Sequence, residues 1–111
     1  MQILLNTDTN IDGRQAMSEH LETVVKAALG HYGERITRVE AHVIDVNSAT
    51  RAGPDDIQCT LEARPNGRDP IVVKDRAGSA HQAIQGALNK LVRALGSTFE
   101  KLDQRPAARP Q

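Results

Sequence analysis

The residues able to move protons, attack carbon or hold a metal are few: His20, His31, His42, His81, Cys59 and the adjacent pair Asp55 and Asp56. No two histidines stand at the i, i+4 separation that brings two imidazoles over one ion on a helix face. A single cysteine excludes both an internal disulfide and every multi-thiolate zinc site. No Gly-rich phosphate loop or nucleophile elbow is present. His42 alternates onto the polar side of a strand, where an imidazole is solvated. Cys59 shares the register of Ile57 and Leu61, which makes it a small buried hydrophobe rather than a nucleophile. Asp55 and Asp56 sit side by side at the mouth of a strand, so their carboxylates diverge instead of converging on one ion or proton. The chain is therefore not expected to be an enzyme, and no metal, cofactor or small-molecule substrate is expected.

The remaining chemistry is charge. Fourteen Lys and Arg balance fourteen Asp and Glu over 111 residues. The balance is uneven along the chain: residues 1–63 hold five basic residues against ten acids, and residues 64–111 hold nine against four. Near the end, Lys90, Arg93 and Lys101 project opposite a leucine stripe and within about 80° of one another at 100° per residue. Arg76 before this segment and Arg105 after it extend a basic ridge over roughly 35–40 Å. A ridge of that reach can follow a phosphate backbone, because each Lys or Arg that neutralises a phosphate releases condensed counterions. The competing reading is an ordinary solvated helix face.

The elements that must position these cations follow from hydrophobic period. Ile3 and Leu5 open a short strand. Met17, Leu21, Val24, Val25, Ala28, Leu29 and Tyr32 recur at three and four, the pattern of an amphipathic helix with Asp12 as its N-cap and Gly33 as its stop. Val39, Ala41 and Val43 alternate with Arg38, Glu40 and His42 in a strand over residues 36–46, and Ile57, Cys59, Leu61 and Ala63 alternate with Gln58, Thr60, Glu62 and Arg64. A long loop, residues 47–56, separates these strands, and Pro65-Asn66-Gly67 signals a hairpin turn into a last strand over residues 70–74. Ile84, Leu88, Leu91, Leu95, Phe99 and Leu102 mark a long helix over residues 79–104. On the first helix Lys26 has Glu22 four residues before it as an ion-pair partner, with Glu19 close by.

The order β-α-β-β-β-α with one-faced helices predicts an α+β, two-layer fold. A four-stranded mixed sheet carries both helices on one face and leaves the other open to water. The first strand is expected to pair in parallel with the second across the helical crossover, and the last three strands to form an antiparallel meander. The open face has no Phe, Tyr or Trp among its expected outward residues, which disfavours base stacking of single-stranded RNA and leaves contact with phosphate and shape. One domain over residues 1–104 is expected, with 105–111 as a disordered tail. The start Met1-Gln2-Ile3-Leu4-Leu5-Asn6 lacks a secretory pattern, and no apolar run approaches the ~18 residues that would span a bilayer. A cytoplasmic chain without a membrane partner is the expectation.

Gly33-Glu34-Arg35-Ile36-Thr37-Arg38-Val39 after the first helix and Ala83-Ile84 with Asn89-Lys90-Leu91-Val92-Arg93-Ala94-Leu95 in the last helix resemble the ribosome hibernation-promoting factor and protein Y (sigma-54 modulation protein) family. Gly53-Pro54-Asp55-Asp56 and Leu61-Glu62-Ala63-Arg64-Pro65 are similar to segments of a proteobacterial branch of it. The resemblance implies a fold similar to double-stranded-RNA-binding domains. It also implies a seat on the small ribosomal subunit, against ribosomal RNA in the channel for messenger and transfer RNA, where the protein silences translation in starvation or stationary phase. A chain ending at residue 111 looks like a short form. By position, Lys90 and Arg93 match the basic helix positions that face ribosomal RNA, and Lys101 falls at the basic end of that helix; Arg64, Lys74 and Arg76 are the expected supporters. The chain departs from the family pattern in presenting Glu19 and Glu22 on its first helix and Gly96-Ser97-Thr98-Phe99-Glu100 near the end of its last. A protein-interaction module of the same fold, without ribosome binding, is the rival these departures support.

Overall fold

The hydrophobic periods along the chain match the order and type of its elements. The computed structural model describes residues 1–8, 13–46 and 56–103. Within them run β1 (Gln2–Thr7), α1 (Arg14–Leu29), a 3₁₀ stretch (Gly30–Arg35), β2 (Ile36–Asp45), β3 (Ile57–Pro65), β4 (Ile71–Ala77) and α2 (Ala80–Asp103). The expected order and the two-layer α+β architecture are both present. The sheet order is β1-β2-β3-β4, with β1 parallel to β2 and the other two pairings antiparallel. Joining β1 to β2 through α1 is what makes their parallel pairing geometrically possible.

The alternation of β2 and β3 sends Val39, Ala41, Val43, Cys59, Leu61 and Ala63 to one face, where all are fully buried. Met17, Leu21, Val25 and Leu29 of α1 and Ile84, Leu88, Leu91, Leu95 and Phe99 of α2 cover them. Among the described residues no polar or charged residue is buried, so the core is held by aliphatic burial. Each fully buried Leu or Ile contributes about 1.5–3 kcal/mol relative to an exposed one.

Several boundaries differ from the expectation for local reasons. The proposed cap Asp12 lies outside the described residues; α1 instead begins after Gly13, whose φ of 72° is left-handed. The helix ends at Leu29 rather than at Gly33, because the chain tightens into the 3₁₀ stretch, and Gly33 takes its positive φ of 55° inside that stretch. The start of α2 is capped: the Gln82 N–H donates to Ser79 Oγ at 3.2 Å, satisfying one of the free amides of the first turn. β4 runs on to Ala77, beyond the expected end at residue 74, because Lys74, Asp75, Arg76 and Ala77 stay in register with Thr60, Cys59, Gln58 and Ile57. Three successive polar residues, Lys74, Asp75 and Arg76, leave no hydrophobic alternation in the sequence.

A register shift between Ile36 and Arg38 turns Ile36 inward, although strict alternation would place it on the open face with Arg38, Glu40 and His42. At the β3–β4 turn, Gly67 has φ 75° and the Arg68 N–H donates to Pro65 O at 3.1 Å. The long β2–β3 connection is clasped at its base, where the Val46 N–H donates to Asp56 O at 2.8 Å. Gly53, Pro54 and Asp55 of that connection lie outside the described residues, as do Arg105 and the rest of the segment expected to be a tail.

Candidate nucleic-acid interface

β4 forms one border of the sheet, and both groups of expected RNA-binding cations meet along it. Alternation points Lys74 and Arg76 to the open face while Asp75 between them turns toward the helices. From the other side, α2 carries Lys90, Arg93 and Lys101 away from its buried stripe, and all three are exposed. Lys90 joins the two groups across the border: its Nζ donates to Lys74 O at 2.7 Å and lies 3.3 Å from Asp75 Oδ1. At the far end Lys101 and Arg68 flank a groove of about 580 Å³ whose other lining residues are Asp69, Pro70, Ile71, Thr98 and Leu102.

The six expected cations differ in how their charge is used. Lys90 is paired with Asp75, and Arg64 with Glu62 at 3.3 Å on its own strand. Lys74, Arg76, Arg93 and Lys101 have no carboxylate within ion-pair distance among the described residues. The border is therefore a strip of four uncompensated positive charges with the paired Lys90 beside it, while Arg64 stands on the inner strand β3, opposite Arg38.

The middle of the open face has the opposite character. Glu40 and Glu62 are direct cross-strand partners. Glu40 accepts from Asn6 Nδ2 at 2.7 Å and stands 3.8 Å from Arg38 and 3.6 Å from His42. Acids and bases are interspersed here, with Arg38 Nε buried and without a hydrogen-bond partner, and the face shows no Phe, Tyr or Trp on which a base would stack. On α1, Glu19, Glu22 and Lys26 are exposed, and the Lys26–Glu22 pair that their spacing allows does not close within ion-pair distance. Arg35 is exposed and stands 3.1 Å from Asp103 and 4.1 Å from the centre of the Phe99 ring.

The residues capable of acid–base or thiol chemistry are placed as follows. Cys59 is buried opposite Asp75, and burial, with a smaller push from the Asp75 carboxylate, raises its thiol pKa to about 12. It is not a nucleophile near neutral pH. Spacing gave no hint that His20 on α1 and His81 on α2 would stack, with ring centroids 3.9 Å apart and planes at 19°. Burial, and then the neighbouring His81, hold the His20 pKa below its ordinary value of 6.5. Among the described residues no group of three or more His, Cys, Asp or Glu gathers into a metal-binding cluster. No described helix is long and apolar enough to cross a membrane.

Two helices on one face of a β-α-β-β-β-α sheet, with cations along one border, define an α+β fold built to present a basic margin. The chain belongs to the sigma 54 modulation protein / S30EA ribosomal protein family, whose model matches residues 6–103. Among solved structures, it is similar in fold to a ribosomal subunit interface protein from Coxiella burnetii: TM-score 0.72 and 13% identity, over 91% of this chain and 100% of that one. No curated protein sequence matches the chain.

Proposed function

We propose that the chain is a cytoplasmic, ribosome-associated regulator of translation. In this reading it binds ribosomal RNA of the small subunit along the β4 border and blocks the channel for messenger and transfer RNA under stress or in stationary phase. The observation that carries the reading is the strip of uncompensated cations, Lys74, Arg76, Arg93 and Lys101, in a chain of a ribosomal protein family. Lys90 belongs to the same border and enters it already paired, and Arg64, on the inner strand β3, is paired with Glu62. The mechanism is electrostatic. Cations from both sides of one edge strand straddle an RNA backbone, and each phosphate contact adds about 0.7–0.9 to the slope of log affinity against log salt. Without aromatic residues on the sheet, recognition is by the shape of structured RNA and not by splayed bases.

No step of this mechanism calls for a cofactor, a metal or a small-molecule substrate. Fractionating a stationary-phase lysate on a sucrose gradient tests it: the chain is expected in the small-subunit and whole-ribosome peaks. Its confinement to the top of the gradient at low salt would contradict the reading. The exposed Glu19 and Glu22 on α1 support a second reading, a protein-interaction module of the same fold that has lost ribosome binding. That module would stay at the top of the gradient and co-purify with one defined protein.

A further inference from the structure

The Asp75 carboxylate reaches into the row of border cations, and the fold makes room for it. It lies between two outward cations of β4 but faces α2, with the buried Cys59 as its cross-strand partner. Its carboxylate occupies the space that a Cβ on Gly86 would need. Glycine is a poor residue for the middle of a 24-residue helix, yet here its missing side chain admits the carboxylate. One turn further along the same helix face stands Lys90, whose Nζ contacts both Asp75 Oδ1 and Lys74 O. The ammonium is thereby held between a carboxylate and a carbonyl, and the Lys90–Asp75 pair carries no net charge.

We infer that Asp75 is a counter-charge that withholds Lys90 from phosphate, setting the affinity of the border below what its count of cations would give. The inference rests on the RNA-binding reading above and deepens it. A phosphate approaching Lys90 meets the Asp75 carboxylate within one ion-pair distance, so it loses by repulsion much of what it gains by attraction. Asp75 acts through Lys90 and is a positioning residue, whereas the unpaired Arg93, one turn from Lys90, contacts phosphate directly.

The test is a double-mutant cycle read as affinity for purified small subunits across a salt series, using wild type, Lys90→Met, Asp75→Asn and the double variant. Lys90→Met bares the Asp75 carboxylate and is expected to weaken binding by repulsion of phosphate. Asp75→Asn is expected to tighten binding by about 3–10-fold and to steepen the salt slope by about 0.7–0.9, one added phosphate contact. The double variant returns both quantities to the wild-type level. Asp75→Ser repeats the cycle should the Asn variant fold poorly. The inference is overturned if the double variant binds as weakly as Arg93→Met does, or if removing the Asp75 charge leaves affinity and slope unchanged.

Elution from a heparin column separates this inference from the function it rests on. Later elution of Asp75→Asn, cancelled by Lys90→Met, upholds the counter-charge even if no form binds the subunit. Identical elution of all four forms overturns it.

Discussion

His20 and His81 stack ring on ring at 3.9 Å, joining α1 to α2 through two imidazoles, and the Nε2 of His20 is buried without a hydrogen-bond partner. Burial first, and the neighbouring ring second, disfavour a charge on His20, so its folded pKa lies below 6.5. The unfolded chain therefore takes up this proton at higher pH than the folded one. Stability from this site is complete above pH ~6.5 and is lost as pH falls from there through the folded value. Urea midpoints measured at pH 7.5 and pH 5.5 are expected to be lower at the acid end, and His20→Gln is expected to reduce that difference. An unchanged difference in the variant would remove the pair from the pH response.

Cys59 is fully buried and its thiol pKa is raised to about 12, so almost no thiolate exists near neutral pH. A thiol-specific reagent at pH 8 is expected to label the native protein only as fast as it unfolds, and to label it at once in denaturant. Fast labelling under native conditions would contradict this placement.

Ser79 supplies the oxygen that receives the Gln82 N–H at the start of α2. Ser79→Ala is expected to cost about 1 kcal/mol of stability, within the ~0.5–2 kcal/mol range for lost N-caps. Ser79→Asp is expected to preserve the cap. Chemical denaturation of the three forms checks both; equal stability of Ser79→Ala and wild type would show that the cap contributes nothing.

Leu91 lies at the centre of the buried stripe of α2 with no exposed surface. Leu91→Ala is expected to cost about 2–5 kcal/mol. Val92, its exposed neighbour, is expected to cost under about 1 kcal/mol on the same change. Comparable losses at the two positions in thermal melts would contradict the assigned helix face.

Much of this architecture was legible in the sequence because one physical rule, burial on a single face, wrote it there. The last helix could be read from the spacing of Ile84, Leu88, Leu91, Leu95, Phe99 and Leu102, and the strands from the inward set Val39, Ala41, Val43, Cys59 and Leu61. The inward turn of Ile36 was not legible, since a bulge breaks the alternation on which such a reading depends. Nor was the full length of β4, where Lys74, Asp75 and Arg76 follow one another with no apolar alternation. Helical spacing correctly placed Lys90, Arg93 and Lys101 off the apolar stripe. It was silent about neighbours on other elements: the Asp75 carboxylate beside Lys90 and the His20–His81 stack both depend on tertiary contact.

If the cations of the β4 border hold ribosomal RNA, reversing their charge removes the binding. Binding of wild type, Arg93→Glu/Lys101→Glu and Lys74→Glu/Arg76→Glu to purified small subunits is measured by co-sedimentation across a salt series, with circular dichroism confirming the fold of each. Wild-type affinity is expected to fall steeply with salt, and each reversal to abolish co-sedimentation even at the lowest salt. Wild-type affinity and an unaltered salt slope in both double variants would contradict it.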